Sequence, residues 1–308
     1  MNTERVEKIA NAVLYEGYLL YPYRASAVKN QHRFNFGVLY PRAHCEQNPG
    51  SDAWEMRTEC LVHGGPHAAV EIKMRFLQLV EHGGRQEGVE REVCTPVRTA
   101  GDLAALPLRQ DILFEAGPMP GGCWSGRLAG ELELHASALS AGLYRVTLII
   151  RNSAAPADAI KASRTDVLLQ SLVSLHSILH VDGGVFVSLL DPPAEFGEAA
   201  AACQNAGCWP VMAGEEGQLD MMLAAPIILY DYPQIAPESS GDLFDGTEID
   251  EILALRILTL TDEEKREVRG GDERARRILE RTEILPPEHF QKLHGAMRTV
   301  RGSSEEVR

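Results

Sequence analysis

The sequence lacks the motifs by which many proteins reveal their chemistry. It has no Walker-type phosphate loop, no Gly-x-Gly-x-x-Gly after a strand, no Gly-x-Ser-x-Gly elbow and no His-Glu-x-x-His pair. Phosphate binding, dinucleotide binding and the commonest hydrolase designs therefore lose their usual support. An EF-hand calcium loop is also missing, because the acids between 242 and 251 do not follow its alternate-position spacing.

Basic residues and long apolar runs are scarce as well. The chain has 30 Lys and Arg against 44 Asp and Glu, a formal net charge of -14. Because nucleic acid and anionic lipid both attract clustered cations, neither is an expected partner. No run approaches the roughly 18 apolar residues of a membrane span, and the opening residues lack the apolar core of a signal peptide. We expect a cytoplasmic protein.

The cysteine content does not require a disulfide framework. A chain of 308 residues can bury a core without disulfides or metals, so the six cysteines are more typical of reduced thiols. Cys123 has no evident histidine partner, and four residues separate Cys203 from Cys208, too many for a redox Cys-x-x-Cys pair. His176 and His180 fit hydrogen-bonded structural histidines. We interpret all five as structural.

Alternating apolar and polar residues dominate the first half of the chain. Five such stretches cover 34–41, 54–64, 68–81, 127–137 and 142–152. The last two predict an antiparallel hairpin. Since little room remains for crossover helices, the sequence predicts an α+β fold: a mainly antiparallel β-sheet or sandwich-like domain with a helical C-terminal appendage.

The stretch 70–80 predicts an amphipathic strand. Val70, Ile72, Met74 and Phe76 share one face, and the charged residues between them share the other. We therefore expect one buried face and one solvated face.

Shorter elements are predicted between 153 and 237. The predictions are a helix capped near Thr165 or Asp166, a hairpin turning at 182–184, an Ala-rich helix over 194–207 and a last strand over 225–233. Leucines at helical spacing leave helix or strand open for 168–180.

The composition changes after Pro237. Helical periodicity, a capping box at Thr261 and Pro286-Pro287 before a last helix predict a helical region over 238–300, divided at Gly270-Gly271. Residues 1–237 then form a β-rich main domain with one or two inserted helices, and 301–308 form a flexible tail.

Metal-capable side chains are densest between 44 and 67. Cys60, His63 and His67 have a spacing that could present ligands to Zn, Ni or Fe, with His44 or Cys45 as a further ligand. The alternative is a buried cysteine with surface histidines, in a protein without a resident cofactor.

The segment 11–42 has an unusual composition for an acidic protein. It holds five of the eight tyrosines and four Lys or Arg against a single acid, Glu16. An alternating strand cannot bury all these rings, and tyrosine beside arginine is typical of protein-binding hot spots. The alternative is an edge strand with tyrosines on its solvated face. The candidate partner-binding residues are Tyr15, Tyr18, Tyr21, Tyr23, Arg24, Lys29 and Arg33.

Several stretches carry a family resemblance. They are VLYEGYLLYPYRASAVKNQHRFNFGVLYPR, GGVFVSLLDPP, IILYDYPQIAPESSGDLFDGTEIDEILALRILTLTDEEK and LPPEHFQKLHGAMR. Together they resemble a family of uncharacterised bacterial proteins associated with gene clusters for oxygen-tolerant nickel-iron hydrogenases. The resemblance implies a cytoplasmic accessory role and supplies no catalytic residues.

The expected function is therefore a non-catalytic accessory or binding protein. It would assist assembly, maturation or stabilisation of a nickel-iron hydrogenase, with hydrogenase subunits or maturation factors as partners. Two alternatives remain: a metal-dependent enzyme or metal carrier that uses the Cys60 cluster, and a β-sandwich module that binds a small ligand. The sequence leaves the oligomeric state open.

Overall fold

The chain forms two compact units. The computed structural model describes residues 4–15, 37–50, 52–82, 85–119, 123–154, 163–234 and 262–269, together with Arg276, Leu279, Glu280 and Glu283. Every described residue up to Gln234 belongs to the first unit, and the rest belong to the second. No helix in this described part is both long enough and apolar enough to cross a membrane.

The first unit is built around antiparallel strands. The strands are β1 (Glu55–His82), β2 (Arg85–Cys94), β3 (Arg98–Thr99), β4 (Leu108–Phe114), β5 (Gly117–Pro118), β6 (Trp124–Ser125), β7 (Leu128–Ser140), β8 (Leu143–Asn152), β9 (Val173–Val187), β10 (Trp209–Met212) and β11 (Met221–Ala225). The helices are α1 (Glu4–Tyr15), α2 (Arg42–Gln47), α3 (Ala100–Ala105), α4 (Arg164–Leu168) and α5 (Gly197–Ala201), with a 3₁₀ turn at Ala194–Phe196.

These strands form one open sheet in the order β10-β11-β9-β1-β8-β7-β4. All the strand pairs are antiparallel, which confirms the predicted mainly antiparallel architecture. Strand β1 is central. Strand β9 pairs with one edge of it, and β8, β3 and β2 pair in turn with successive parts of the other edge. A single 28-residue strand thus organises the core.

The predicted hairpin of β7 and β8 is confirmed. Leu132 lies opposite Ile150 and Leu134 lies opposite Leu148, and all four side chains are buried in the main core. Gly142 occupies the turn with a φ of +79°, a left-handed conformation that glycine adopts without steric strain. Alternation therefore predicted this pair correctly, including the buried face.

Two predictions around glycine pairs were wrong. The stretches 54–64 and 68–81 form one strand, and residues 182–184 lie within β9 and form no hairpin turn. Gly64 lies opposite Gly184, and a Cβ on Gly64 would be only 2.9 Å from the Cα of Gly184. These glycines permit a close approach of two strands, a use that the sequence pattern does not distinguish from a turn.

Helix α1 overturns the predicted solvated face of β1. It packs over β9, β11 and the adjacent end of β1, and Lys73 of β1 pairs with Glu7 of the helix at 3.3 Å. Its buried side chains recur at helical spacing: Val6, Ile9, Ala10 and Val13. Further along β1, Leu77 and Leu79 are also buried. Both faces of the strand are therefore covered over much of its length.

Smaller elements depart from prediction in their boundaries. The predicted helix near 166 is confirmed as α4, but its N-cap is Ser163, whose hydroxyl and the carboxylate of Asp166 form a capping box. The Ala-rich helix ends at Ala201, well short of 207. Residues 173–187 are a strand, and the predicted last strand over 225–233 is wrong, since β11 ends at Ala225.

In the second unit the described residues include the helix α6 (Asp262–Arg269), and Arg276, Leu279, Glu280 and Glu283 are also helical. The predicted cap at Thr261 and the predicted break at Gly270-Gly271 lie outside the described residues. Glu283 pairs with Lys265 at 3.2 Å and with Arg269 at 2.7 Å. The remainder of the predicted helical region, its boundary at 237/238 and the tail 301–308 lie outside the described residues.

Candidate protein-binding surface

The aromatic and basic residues predicted to bind a partner lie beyond what the structure describes. Tyr15 is the last residue of α1, but its side chain is outside the described set. The other six, Tyr18, Tyr21, Tyr23, Arg24, Lys29 and Arg33, lie in the undescribed segment 16–36. Their role as a contact surface stays a prediction.

The structure does not bring the candidate metal ligands together. Cys60 is fully buried in the core, whereas His63, three residues further along an extended strand, projects from the opposite face and lies against the ring of Phe196. Burial raises the pKa of the Cys60 thiol far above its ordinary value, which disfavours the thiolate that binds metal. Among the described residues, no group of three His, Cys, Asp or Glu is arranged to hold a metal ion.

The other cysteine and histidine side chains considered above contact neighbouring groups of the fold. Cys208 is buried, with its sulfur 3.0 Å from the hydroxyl of Thr58, and burial raises the pKa of its thiol to about 11. His44 lies 3.3 Å from Asp52, and His180 lies 3.3 Å from Glu71. His176 is fully buried with one ring nitrogen 3.0 Å from the carbonyl of Ser174, while its Nε2 has no hydrogen-bond partner among the described residues.

A buried carboxylate that the sequence analysis missed lies on the face of β1 opposite Cys60. Glu59 is 2% exposed and accepts hydrogen bonds from Arg57 at 2.5 Å and from the backbone N–H of Gln204 at 2.7 Å. Burial alone would raise the pKa of Glu59, but these bonds and the charges of Arg57 and Arg145 together hold that pKa below its ordinary value. The side chain of Asn205 accepts a hydrogen bond from the backbone N–H of Glu59 through its Oδ1 and donates one to the carbonyl of Glu59 through its Nδ2. This cluster fastens the segment after α5 to β1.

Four exposed apolar side chains lie on β10 and on the segments that follow β9 and β11. They are Leu190 after β9, Trp209 at the start of β10, and Ile228 and Tyr230 after β11, with exposed fractions of 54%, 45%, 74% and 86%. We call these four residues the β10 edge surface. Exposed aromatic and aliphatic side chains gathered at one end of a sheet are typical of protein interaction sites.

The carboxylate of Asp231 joins the segments that carry this surface. Its Oδ2 accepts a hydrogen bond from the hydroxyl of Ser188 at 2.5 Å, and its Oδ1 accepts one from the backbone N–H of Met212 at 2.8 Å. The same serine oxygen accepts the backbone N–H of Leu190 at 3.1 Å. One side chain therefore connects β10 with the chain around Leu190 and the chain next to Tyr230.

The residue after Asp231 is held in an uncommon conformation. Tyr232 has a φ of +54°, in the left-handed region that non-glycine residues rarely adopt. Its backbone N–H donates to the carbonyl of Met212 at 2.8 Å, and its hydroxyl donates to the carbonyl of Gln218 at 3.1 Å. Such strain persists only where the surroundings fix the backbone, so the segment 226–232 has a defined path.

Alternation divides the residues of that segment between the core and solvent. Ile227 and Leu229 pack against the cluster formed by α1, β10 and β11, whereas Ile228 and Tyr230 point away from it. The inward side chains and the anchors at Asp231 and Tyr232 thus fix the backbone that carries Ile228 and Tyr230. A backbone that is already ordered loses less conformational entropy on binding.

The free edge of β10 is closed to a further strand. Ala213 donates its N–H to Met221, so Pro210 and Met212 are the β10 residues whose backbone groups point outward. Pro210 has no N–H, and both backbone groups of Met212 are taken by Asp231 and Tyr232. A partner at this surface would therefore contact side chains and could not extend the sheet.

The sequence contained part of this surface. The stretch IILYDYP belongs to the residues that carry the family resemblance, and its alternation places Ile228 and Tyr230 on one face. Which face is exposed depends on α1, and the sequence analysis did not predict α1. A comparison of the chain with models of known protein families, and with curated proteins, found no match.

Proposed function

We propose that this protein is a non-catalytic binding protein that assists assembly, maturation or stabilisation of a nickel-iron hydrogenase through protein contacts. Its docking site includes the β10 edge surface. The observation that carries the proposal is the 86% exposure of Tyr230 beside an anchored Asp231-Tyr232 pair. The resemblance to proteins of hydrogenase gene clusters supplies the class of partner.

The chemistry of the surface favours a protein over a small ligand. Its apolar side chains project outward from the end of a sheet, and the carboxylate among them is occupied by Ser188 and Met212. A small-molecule site would instead need a concave, largely apolar pocket with convergent polar groups. Large, exposed tyrosine and tryptophan side chains supply contact area in the way that binding hot spots do.

Measured binding to hydrogenase subunits and maturation factors tests this function. The full chain is purified, and its affinity for each candidate is compared with that of Tyr230→Ala and Ile228→Ser. We expect at least one candidate to bind and each substitution to weaken that binding by about tenfold or more, which is the effect of a hot-spot residue. Absence of binding to every hydrogenase component would overturn the proposal.

A matched control separates a specific surface from general stickiness. Leu106 is 75% exposed, close to the 74% of Ile228, but it follows α3 and lies outside the β10 edge surface. Leu106→Ser should leave the affinity unchanged. Equal losses from Leu106→Ser and Ile228→Ser would show that exposed apolar area in general drives the binding and would contradict a defined docking site.

A further inference from the structure

The opposite end of the sheet ends in a strand whose outer edge has no paired strand in the part of the chain that the structure describes. Among those residues, β4 pairs with β7 alone, over the seven residues Leu108–Phe114. In β7 the carbonyl of Ala129 accepts a hydrogen bond from the backbone N–H of Ser153, which directly follows β8. The backbone groups of odd-numbered β7 residues therefore point toward β8, and those of even-numbered β7 residues point toward β4. Odd-numbered residues of β4 lie opposite odd-numbered residues of β7. The backbone groups of Arg109, Asp111 and Leu113 therefore point outward.

These outward groups have no backbone partner within the part of the chain that the structure describes. The edge contrasts with β10, where Pro210, Asp231 and Tyr232 block any further strand. One exposed apolar side chain, Leu113, lies on the strand itself. An unpaired edge of this length is a template for another strand.

The charges on the outer face of β4 are alternately signed and incompletely paired. Arg109 lies 3.8 Å from Glu133 of β7, and 70% of its side chain is exposed. Asp111 is exposed and lies opposite Glu131, whose carboxylate pairs with Arg151 at 3.5 Å; Asp111 itself has no cationic partner among the described residues. A cation supplied across the open edge would pair with Asp111.

We propose that β4 pairs with β4 of a second copy of this chain, antiparallel, about a two-fold axis at Gln110. This register puts Arg109 of each copy opposite Asp111 of the other, so two cross-strand ion pairs form. Both members of each pair have outward backbone groups, and each such pair exchanges two N–H···O bonds. Leu113 lies opposite Pro107, whose carbonyl accepts the N–H of Leu113.

The charge pattern favours this register over the two neighbouring ones. Moving the axis to Arg109 would place two arginines opposite each other, and moving it to Asp111 would do the same with two aspartates. Like charges directly opposite destabilise a strand pair. Placing the axis between residues would oppose outward groups with inward ones and break the ladder. Pairing about Gln110 joins two seven-stranded sheet paths into one continuous sheet and is independent of the β10 edge surface.

Charge exchange between copies tests the proposal. Sedimentation of the wild-type chain across a range of concentrations should show a rise from 33.8 kDa to twice that mass. Arg109→Asp and Asp111→Arg should each reduce self-association at least tenfold, because each places like charges opposite one another. An equimolar mixture of the two variants should recover the doubled mass, since both cross-strand pairs are then of opposite sign.

Controls keep the outcome decisive. Glu216→Arg makes the same charge change as Asp111→Arg, at an exposed site in the turn between β10 and β11. It should self-associate like the wild type. Thermal unfolding verifies that each variant is folded. A wild-type chain that stays at 33.8 kDa throughout, or two variants whose mixture stays monomeric although both are folded, would overturn the proposal.

Discussion

The hydroxyl of Ser188 donates a hydrogen bond to the carboxylate of Asp231 at 2.5 Å, and 43 residues of sequence separate the two. The bond joins the end of β9 to the segment that follows β11. That segment carries Ile228 and Tyr230, so the position of the exposed side chains depends on a contact that links distant parts of the chain.

Replacing Asp231 should loosen the β10 edge surface. Asp231→Ala removes the acceptor for Ser188 and for the N–H of Met212, and we expect the free energy of unfolding to fall by about 1–3 kcal/mol. Partner binding should weaken as well, although residue 231 need not touch the partner. Urea unfolding and a binding measurement give the two quantities. Asp231→Asn keeps one oxygen acceptor and should lose less of each; identical losses in both variants would contradict this account.

The close approach of β1 and β9 makes a sharp prediction about neighbouring glycines. Gly64→Ala places a methyl group 2.9 Å from the Cα of Gly184, whereas Gly65→Ala meets nothing within 4 Å. We expect the first to lower the free energy of unfolding by about 1–3 kcal/mol through overpacking. The second should have little effect. Denaturant unfolding of the two variants tests this, and equal stabilities would show that β1 and β9 do not approach closely at Gly64.

Glu59 should stabilise the fold only while it is ionised. Its pKa is held below the ordinary value of 4.5, so the unfolded chain takes up this proton more readily than the folded one. The stabilisation is present above about pH 4.5 and is lost as the pH falls through the lower, folded pKa. Glu59→Gln should therefore flatten the loss of stability in acid.

Removing that side chain altogether should be more damaging. Glu59→Ala leaves Arg57 and Arg145 without the carboxylate between them, and because both arginines are partly exposed we expect the free energy of unfolding to fall by about 1–3 kcal/mol at neutral pH. Denaturant unfolding at several pH values measures both effects. A Glu59→Ala chain as stable as the wild type would show that the cluster does not fasten the segment after α5.

His176 should contribute a second pH dependence, which begins at a higher pH. Burial, and to a lesser degree the charge of Arg75, lower the pKa of His176 from 6.5 to about 4, so the unfolded chain binds this proton first. Stability is full above about pH 6.5 and declines as the pH falls toward 4, by roughly 3 kcal/mol in total. His176→Gln should remove that decline, and His63→Gln, at an exposed site, should not. Denaturant unfolding at several pH values measures this. If the free energy of unfolding falls equally steeply with pH in His176→Gln and the wild type, the imidazole is not excluded from water.

Local pattern predicted the parts of the fold whose cause is local. The β7–β8 hairpin followed from alternation alone, because Val146, Leu148 and Ile150 face the core at every second position. Helix α1 also carries its signal in the sequence, since Val6, Ile9, Ala10 and Val13 fall at helical spacing, but the sequence analysis made no prediction for these residues.

The remaining features depend on contacts between distant segments. Glu59 and Asn205 are 146 residues apart, so their hydrogen bond leaves no mark on either local sequence. Gly64-Gly65 and Gly183-Gly184 have the composition of turns. Only the pairing of β1 with β9 shows that they allow the two strands to approach closely. Likewise, IILYDY indicates two faces, and the packing of Ile227 and Leu229 beneath α1 decides which one is exposed.

The most direct test of the central claim is the affinity of the full-length chain for purified hydrogenase subunits, measured for the wild type, Tyr230→Ala and the control Leu106→Ala. The account predicts that Tyr230→Ala binds at least tenfold more weakly than the wild type and that Leu106→Ala binds equally well. Tyr230→Ala binding with wild-type affinity, in a chain that unfolds at the wild-type temperature, would contradict it.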